Sequence, residues 1–249
     1  MSADIEATDI GLRLYPWMDV IPDGEDRRLV RSDDVITSEQ TLSRMAAMIQ
    51  NEVRATLPYH TVSAIAVDEW QFKDIRTQDE PSTLAYFRDY LKRVYENIAS
   101  LNKSWSTQMS SFDQITLEQC APERIRDDGV SPVPWADLQA MKEDATVMYL
   151  ERLAKAAGEI TPNFRLGLSG TRETTGDNGL DWYRLMQVQG SVATYGGFHT
   201  RLEESFRRDD TCIYQWSYAT GDNIQRSRYD PWNHLLRGYD GYSSRSARY

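Results

Sequence analysis

Cysteine and histidine are both scarce in this chain of 249 residues: two cysteines, Cys120 and Cys212, and three histidines, His60, His199 and His234. Two cysteines are too few for a disulfide scaffold, and none of the five residues falls at a metal-ligand spacing, which excludes a structural zinc and leaves free thiols as the expectation. Basic excess is missing too. With 28 Lys and Arg against 38 Asp and Glu, the formal charge is −10, so a general nucleic-acid binder is excluded, because phosphate contacts need clustered cations. No window approaches the length and apolarity of a membrane span. The opening residues Met1-Ser2-Ala3-Asp4-Ile5-Glu6 lack the basic and apolar segments of an export signal, so the chain reads as cytoplasmic and unanchored. Repeats and low-complexity segments are absent.

What remains is a composition 40% hydrophobic, enough for one substantial core over residues 1–249. Apolar runs alternate with helical periodicity in the manner of β/α units. Six strands are expected, and Ile10 to Met18 is the first, with Pro16 confined to its end. The others are Ala64 to Val67, Arg165 to Gly170, Ser191 to Tyr195, Thr211 to Trp216 and Tyr239 to Ser246. Thr37-Ser38-Glu39-Gln40 reads as a capping box, followed by Leu42, Met45, Ile49, Val53 and Leu57 at helical spacing. A second helix is expected from Ser82, with Leu84, Phe87, Leu91 and Val94 as its apolar stripe. A third opens at Trp135 and stops at Gly158, and a short one is expected around Trp182 to Val188. Asp230-Pro231 reads as the start of another. Between them, residues 99–134 are expected to form an irregular excursion over the surface.

The sharpest chemical signal is Ala64-Ile65-Ala66-Val67-Asp68-Glu69-Trp70, an apolar run that ends in two acids and a tryptophan. A buried parallel strand delivers a carboxylate to the rim of a sheet in this way, and in an α/β barrel the carboxyl ends of the strands build the active site. Glu69 is therefore the first catalytic candidate. Aromatic residues add to it: Trp70, Tyr195, Trp216 and Tyr218 stand at expected strand ends and would face a common cleft. Their rings suit the apolar C–H face of a sugar, with acids and amides such as Gln215 taking the hydroxyls. Arg172 is a further binding candidate. Glu203 and Glu204 read as an exposed helical pair without a role.

Three stretches resemble the catalytic barrel of β-galactosidase-like glycoside hydrolases of the retaining clan. They are Val67-Asp68-Glu69-Trp70; Tyr86-Phe87-Arg88-Asp89-Tyr90-Leu91 with Ala99-Ser100-Leu101-Asn102-Lys103-Ser104-Trp105, running on to Phe112; and Gly167-Leu168-Ser169-Gly170-Thr171 with Gly179-Leu180-Asp181-Trp182. The resemblance covers roughly residues 28–246. It implies a (β/α)8 TIM-type barrel that is partial here, with about six strands visible and the first two missing, so that a partner chain or an upstream segment would close it. It further implies a carbohydrate substrate, no cofactor, and Glu69 as general acid/base. The residue before that acid is usually Asn; Asp68 replaces it here and can still accept a sugar hydroxyl. Like-charge repulsion from Asp68 would raise the Glu69 pKa, as a general acid requires. The second carboxylate that glycoside hydrolysis needs is expected after the seventh strand. Tyr214-Gln215-Trp216-Ser217-Tyr218 holds no acid there, which leaves Glu173, Asp177 and Asp222 in loops as substitutes. Two other readings follow from that gap: a barrel that binds sugar without cleaving it, or one dependent on a missing segment.

Overall fold

The computed structural model describes residues 36–59, 63–68, 70, 72, 81–170, 178–195, 198–217 and 224–244. Five parallel strands form one sheet in chain order: β1 (Ser63–Asp68), β2 (Arg165–Ser169), β3 (Ser191–Thr194), β4 (Cys212–Ser217) and β5 (Gly241–Ser244). All five were expected; the sixth, Ile10 to Met18, lies outside the described residues. Parallel strands joined through helices in unbroken order are the pattern of a β/α barrel arc. Eight helices accompany them among the described residues: α1 (Glu39–Thr56), α2 (Pro81–Tyr95), α3 (Ile98–Trp105), α4 (Pro122–Asp128), α5 (Val133–Gly158), α6 (Trp182–Val188), α7 (Phe198–Phe206) and α8 (Ile224–Leu236). None of the described helices is long and apolar enough to cross a membrane.

The helices build one face of the core. Leu42, Met45, Ile49 and Val53 of α1 recur at helical spacing and are all buried, as are Leu138, Met141, Ala145, Tyr149, Leu150 and Leu153 of α5. They pack on Ala64, Ala66, Leu166, Leu168, Val192 and Ile213, the helix-facing residues of the strands. In α2 only Phe87 and Leu91 of the expected stripe are fully buried; Val94 at its end is half exposed. The helix α1 starts within one residue of expectation, but its N-cap is Ser38 rather than Thr37 and makes no side-chain capping bond; Thr37 instead meets Thr83 across to α2 at 3.2 Å.

Residues 99–134 differ most from expectation. They carry α3, α4 and two 3-10 turns, and Leu101, Trp105, Ile115, Leu117 and Cys120 are buried in the same core. Side chains hold this segment in place. Asn97 caps α3 by accepting from the Ser100 N–H at 2.9 Å. The Asn102 carbonyl accepts from the Met109 N–H and the Thr107 hydroxyl, while its amide donates to the Met109 carbonyl at 2.7 Å. Arg88 donates to the Ile115 and Asp113 carbonyls. Trp105 and Tyr95 both donate to Asp137 of α5, at 2.6 and 2.7 Å.

Two other expectations are corrected. The helix α8 already runs from Ile224, so Pro231 lies inside it, where it removes one backbone hydrogen bond rather than opening the helix. Glu203 is fully buried, and Glu204 beside it is part-buried. Glu203 stands one helical turn after Thr200, whose hydroxyl meets Thr194 of β3 at 2.8 Å, and so shares the inward face of α7.

Candidate active site

The sheet's other face is concave. Tyr214 of β4 places its hydroxyl 3.1 Å from Ser63 of β1. Those strands are three spacings apart, about 14 Å in a flat sheet, further than a tyrosine can lean, so the sheet is curled. The Ser191 hydroxyl of β3 likewise reaches back to the Ala64 carbonyl at 3.3 Å. Small residues make room for this layer. A Cβ at Gly241 would stand 3.0 Å from the Tyr214 ring, and one at Gly167 would collide with the Ser191 carbonyl. Burial raises the Tyr214 phenol to about 12, and nearby Cys212 and Asp240 push the same way against the bond to Ser63.

Above this floor, towards the carboxyl ends, Ile65, Ala193 and Trp216 cluster with Tyr195 and Tyr214. The Trp216 indole donates to the buried Ser169 hydroxyl at 2.8 Å. At the end of β1 the register slips between Ile65 and Val67, a bulge that brings Asp68 level with Ser169. Bulges of this kind re-phase which residues of a strand share a face, and they recur beside active sites.

Among the sequence candidates, Trp216 and Tyr195 thus stand together on the concave face. Asp68 is placed by its backbone at the end of β1. Trp70 does not join them. It is buried on the helix side, stacked on Tyr149 of α5 at 5.3 Å between centroids and donating to Thr146 at 3.3 Å. Gln215 also falls away from the cleft: successive strand residues alternate faces, and its register partner is Thr194, which bonds into α7. Glu69, Arg172, Glu173, Asp177, Tyr218 and Asp222 lie outside the described residues. By position in the chain, Glu69 follows β1 directly, Arg172, Glu173 and Asp177 follow β2, and Tyr218 and Asp222 follow β4.

Two residues of this layer were not foreseen as part of the site, Ser169 and Tyr214. The signal for Tyr214 was present, since it stands two residues before Trp216 and must share its face. Ser169 gains its role only through a bond spanning two strands, which spacing cannot show. Among the described residues no group of three or more His, Cys, Asp or Glu is arranged to hold a metal ion.

Comparison with known proteins gives the arrangement its context. The catalytic domain of a β-amylase from Paenibacillus polymyxa aligns over 98% of this chain and 78% of its own length, at 12% identity and a TM-score of 0.62. The β-galactosidase of Rahnella sp. R3 aligns over 98% of this chain and 36% of its own, at 13% identity and TM-score 0.60. That of the psychrophilic Marinomonas ef1 aligns over 78% of this chain and 32% of its own, at 17% identity and TM-score 0.58. These likenesses establish the fold, a TIM-type barrel of which five strands are described here. The chain spans about a third of the length of the β-galactosidases it matches. No curated protein sequence gives a significant match. The family model of glycoside hydrolase family 42, described as β-galactosidase, matches residues 17–214. A match over so much of the sequence, on an arc of parallel β/α units, means that the chain belongs to glycoside hydrolase family 42.

Proposed function

We propose that the chain binds β-linked galactosides, or closely related sugars, at the carboxyl ends of its strands and hydrolyses them by carboxylate acid/base chemistry. Glu69 is the acid/base, and the second carboxylate is drawn from Glu173, Asp177 or Asp222. Asp68, Arg172, Tyr195, Trp216 and Tyr218 bind the sugar, and no cofactor takes part. The observation that carries this reading is the concave aromatic layer of Trp216, Tyr195 and Tyr214 at the end where β1 delivers Asp68 and, next in the chain, Glu69. Neither β1 nor β5 has a second neighbouring strand among the described residues, so a further segment or a second copy would complete the barrel.

One observation favours a second reading, sugar binding without cleavage. The concave row of β4 runs Cys212, Tyr214, Trp216, and the last described place on it holds an indole rather than an acid. Release of nitrophenol from aryl β-glycosides, galactoside first, by the wild type and by Glu69→Ala decides between the two. Turnover that vanishes in the variant supports hydrolysis; no turnover from a protein that melts cooperatively and binds galactoside supports binding alone. Neither turnover nor binding would sink both.

A further inference from the structure

We propose that Ser169 is the positioning residue of the sugar site, fixing the plane of the Trp216 indole and through it the preference for a galactoside over a glucoside. This inference rests on the sugar-binding reading above. The indole N–H donates to Ser169 Oγ at 2.8 Å, from β4 across β3 to β2. It passes β3 at Ala193, whose small side chain packs against Trp216 in the same cluster. Ser169 is 0% exposed and Trp216 is 8% exposed, so the bond is screened from water and the indole it holds is kept in one orientation. A buried hydrogen bond of this kind costs more to break than a solvated one, since the abandoned indole N–H would find no water.

The chemistry that this serves is discrimination between epimers. A galactoside carries its 4-hydroxyl axially, which clears a contiguous C–H patch on one face of the ring, whereas a glucoside places that hydroxyl in the ring's equator. An indole held in one plane can be matched to the first patch; one free to tilt accommodates either sugar. Ser169 also stands level with Asp68 in the sheet register, so the residue that holds the aromatic wall lies on the strand row that ends in the acids.

The test is calorimetric titration of the full chain with methyl β-galactoside and methyl β-glucoside, for wild type, Ser169→Ala, Trp216→Phe and the double variant. Trp216→Phe keeps an aromatic ring and removes the donor, so it probes the same bond if Ser169→Ala fails to fold. The expected result is a galactoside-to-glucoside affinity ratio lowered about fivefold in each single variant, the scale of one ordinary hydrogen bond, and lowered no further in the double variant. An unchanged ratio overturns the proposal, as does an equal weakening of both sugars accompanied by a lower melting temperature, the mark of a purely structural bond. A wild type that binds neither sugar and hydrolyses neither overturns the functional reading itself, and is told apart by needing no variant.

Discussion

The segment from Tyr86 to Cys120 and the carboxyl rim of the strands are built on opposite principles. In the first, the most distinctive side chains are spent inside the molecule: Phe87 and Trp105 stack at 6.3 Å between centroids, Asn102 makes three bonds to its own loop, and Arg88 holds two carbonyls. At the rim, the described part is a thin layer of aromatic and hydroxyl groups over a tyrosine floor. The first segment is also where the likeness to glycoside hydrolases is most specific in sequence, while β4 at the rim lacks the acid expected there. Burial and hydrogen bonding are therefore densest where the chain is fastened together, and the described rim is the sparser of the two. Substitutions in the two regions should separate accordingly, with stability lost from the fastening and sugar recognition lost from the rim.

The largest effect is expected from Trp105→Ala. The side chain is almost fully buried, and its N–H is bonded to Asp137. Removing it leaves a cavity against Phe87 and should lower stability by about 3–5 kcal/mol in urea unfolding. The affinity ratio between galactoside and glucoside should stay at its wild-type value in whatever fraction remains folded. A loss below about 1 kcal/mol, within reach of a surface substitution, would break the contrast by showing that residues 99–134 hang loosely on the barrel.

Asp144→Asn comes next and sharpens the contrast through pH. Asp144 of α5 accepts from Tyr86 at 2.9 Å and Arg93 at 2.8 Å of α2, and from Arg184 of α6 at 2.7 Å. Burial, the largest influence, pushes its carboxyl up, but the bonds from Arg184, Arg93 and Tyr86 together outweigh it and hold it below the ordinary value of 3.8. The folded state thus favours the ionised acid more than the unfolded chain does. Its contribution is present above that ordinary value and lost as pH falls through the lower, folded one. Both arginines are substantially exposed, so solvent screening trims the effect to about 1–2 kcal/mol. Urea midpoints should fall more steeply on acidification in the wild type than in Asp144→Asn. Parallel curves would show that the cluster contributes nothing.

How much of this could be read from the residues depends on what kind of force places each element. Five strands and the helices α1, α2 and α5 were legible because burial imposes a period on them, as in Leu42, Met45, Ile49 and Val53. The helix α3 was not, since Ser100, Asn102 and Ser104 are weak helix formers, and it is held by the Asn97 cap and tertiary bonds. Glu203 was misjudged for the same reason: two adjacent acids look solvated until the helix is turned to put Thr200 against β3. In the site, alternation alone separates Gln215 from Trp216. Trp70 was beyond such reasoning, because it lies past the end of β1, where the period of a strand no longer holds.

The smallest effect concerns the floor on which the rim stands. Tyr214→Phe removes the bond that draws β4 towards β1 and leaves the buried Ser63 hydroxyl without that partner, a loss of about 1 kcal/mol at neutral pH. Its alkaline behaviour carries more information. Burial raises the phenol from 10.0 to about 12, so the folded state keeps the proton that the unfolded chain releases. Stability from this group is complete below pH 10.0 and drains away as pH climbs through the folded value of about 12. Tyr86 and Tyr239 are raised to about 12 as well, so only the difference between wild type and Tyr214→Phe isolates this residue. That difference should narrow between those two values, because phenylalanine has no proton to lose. If Tyr214→Phe instead leaves stability untouched and shifts the galactoside-to-glucoside ratio, the floor belongs to recognition rather than to fastening. The line between the two regions would then run below Tyr214 instead of above it.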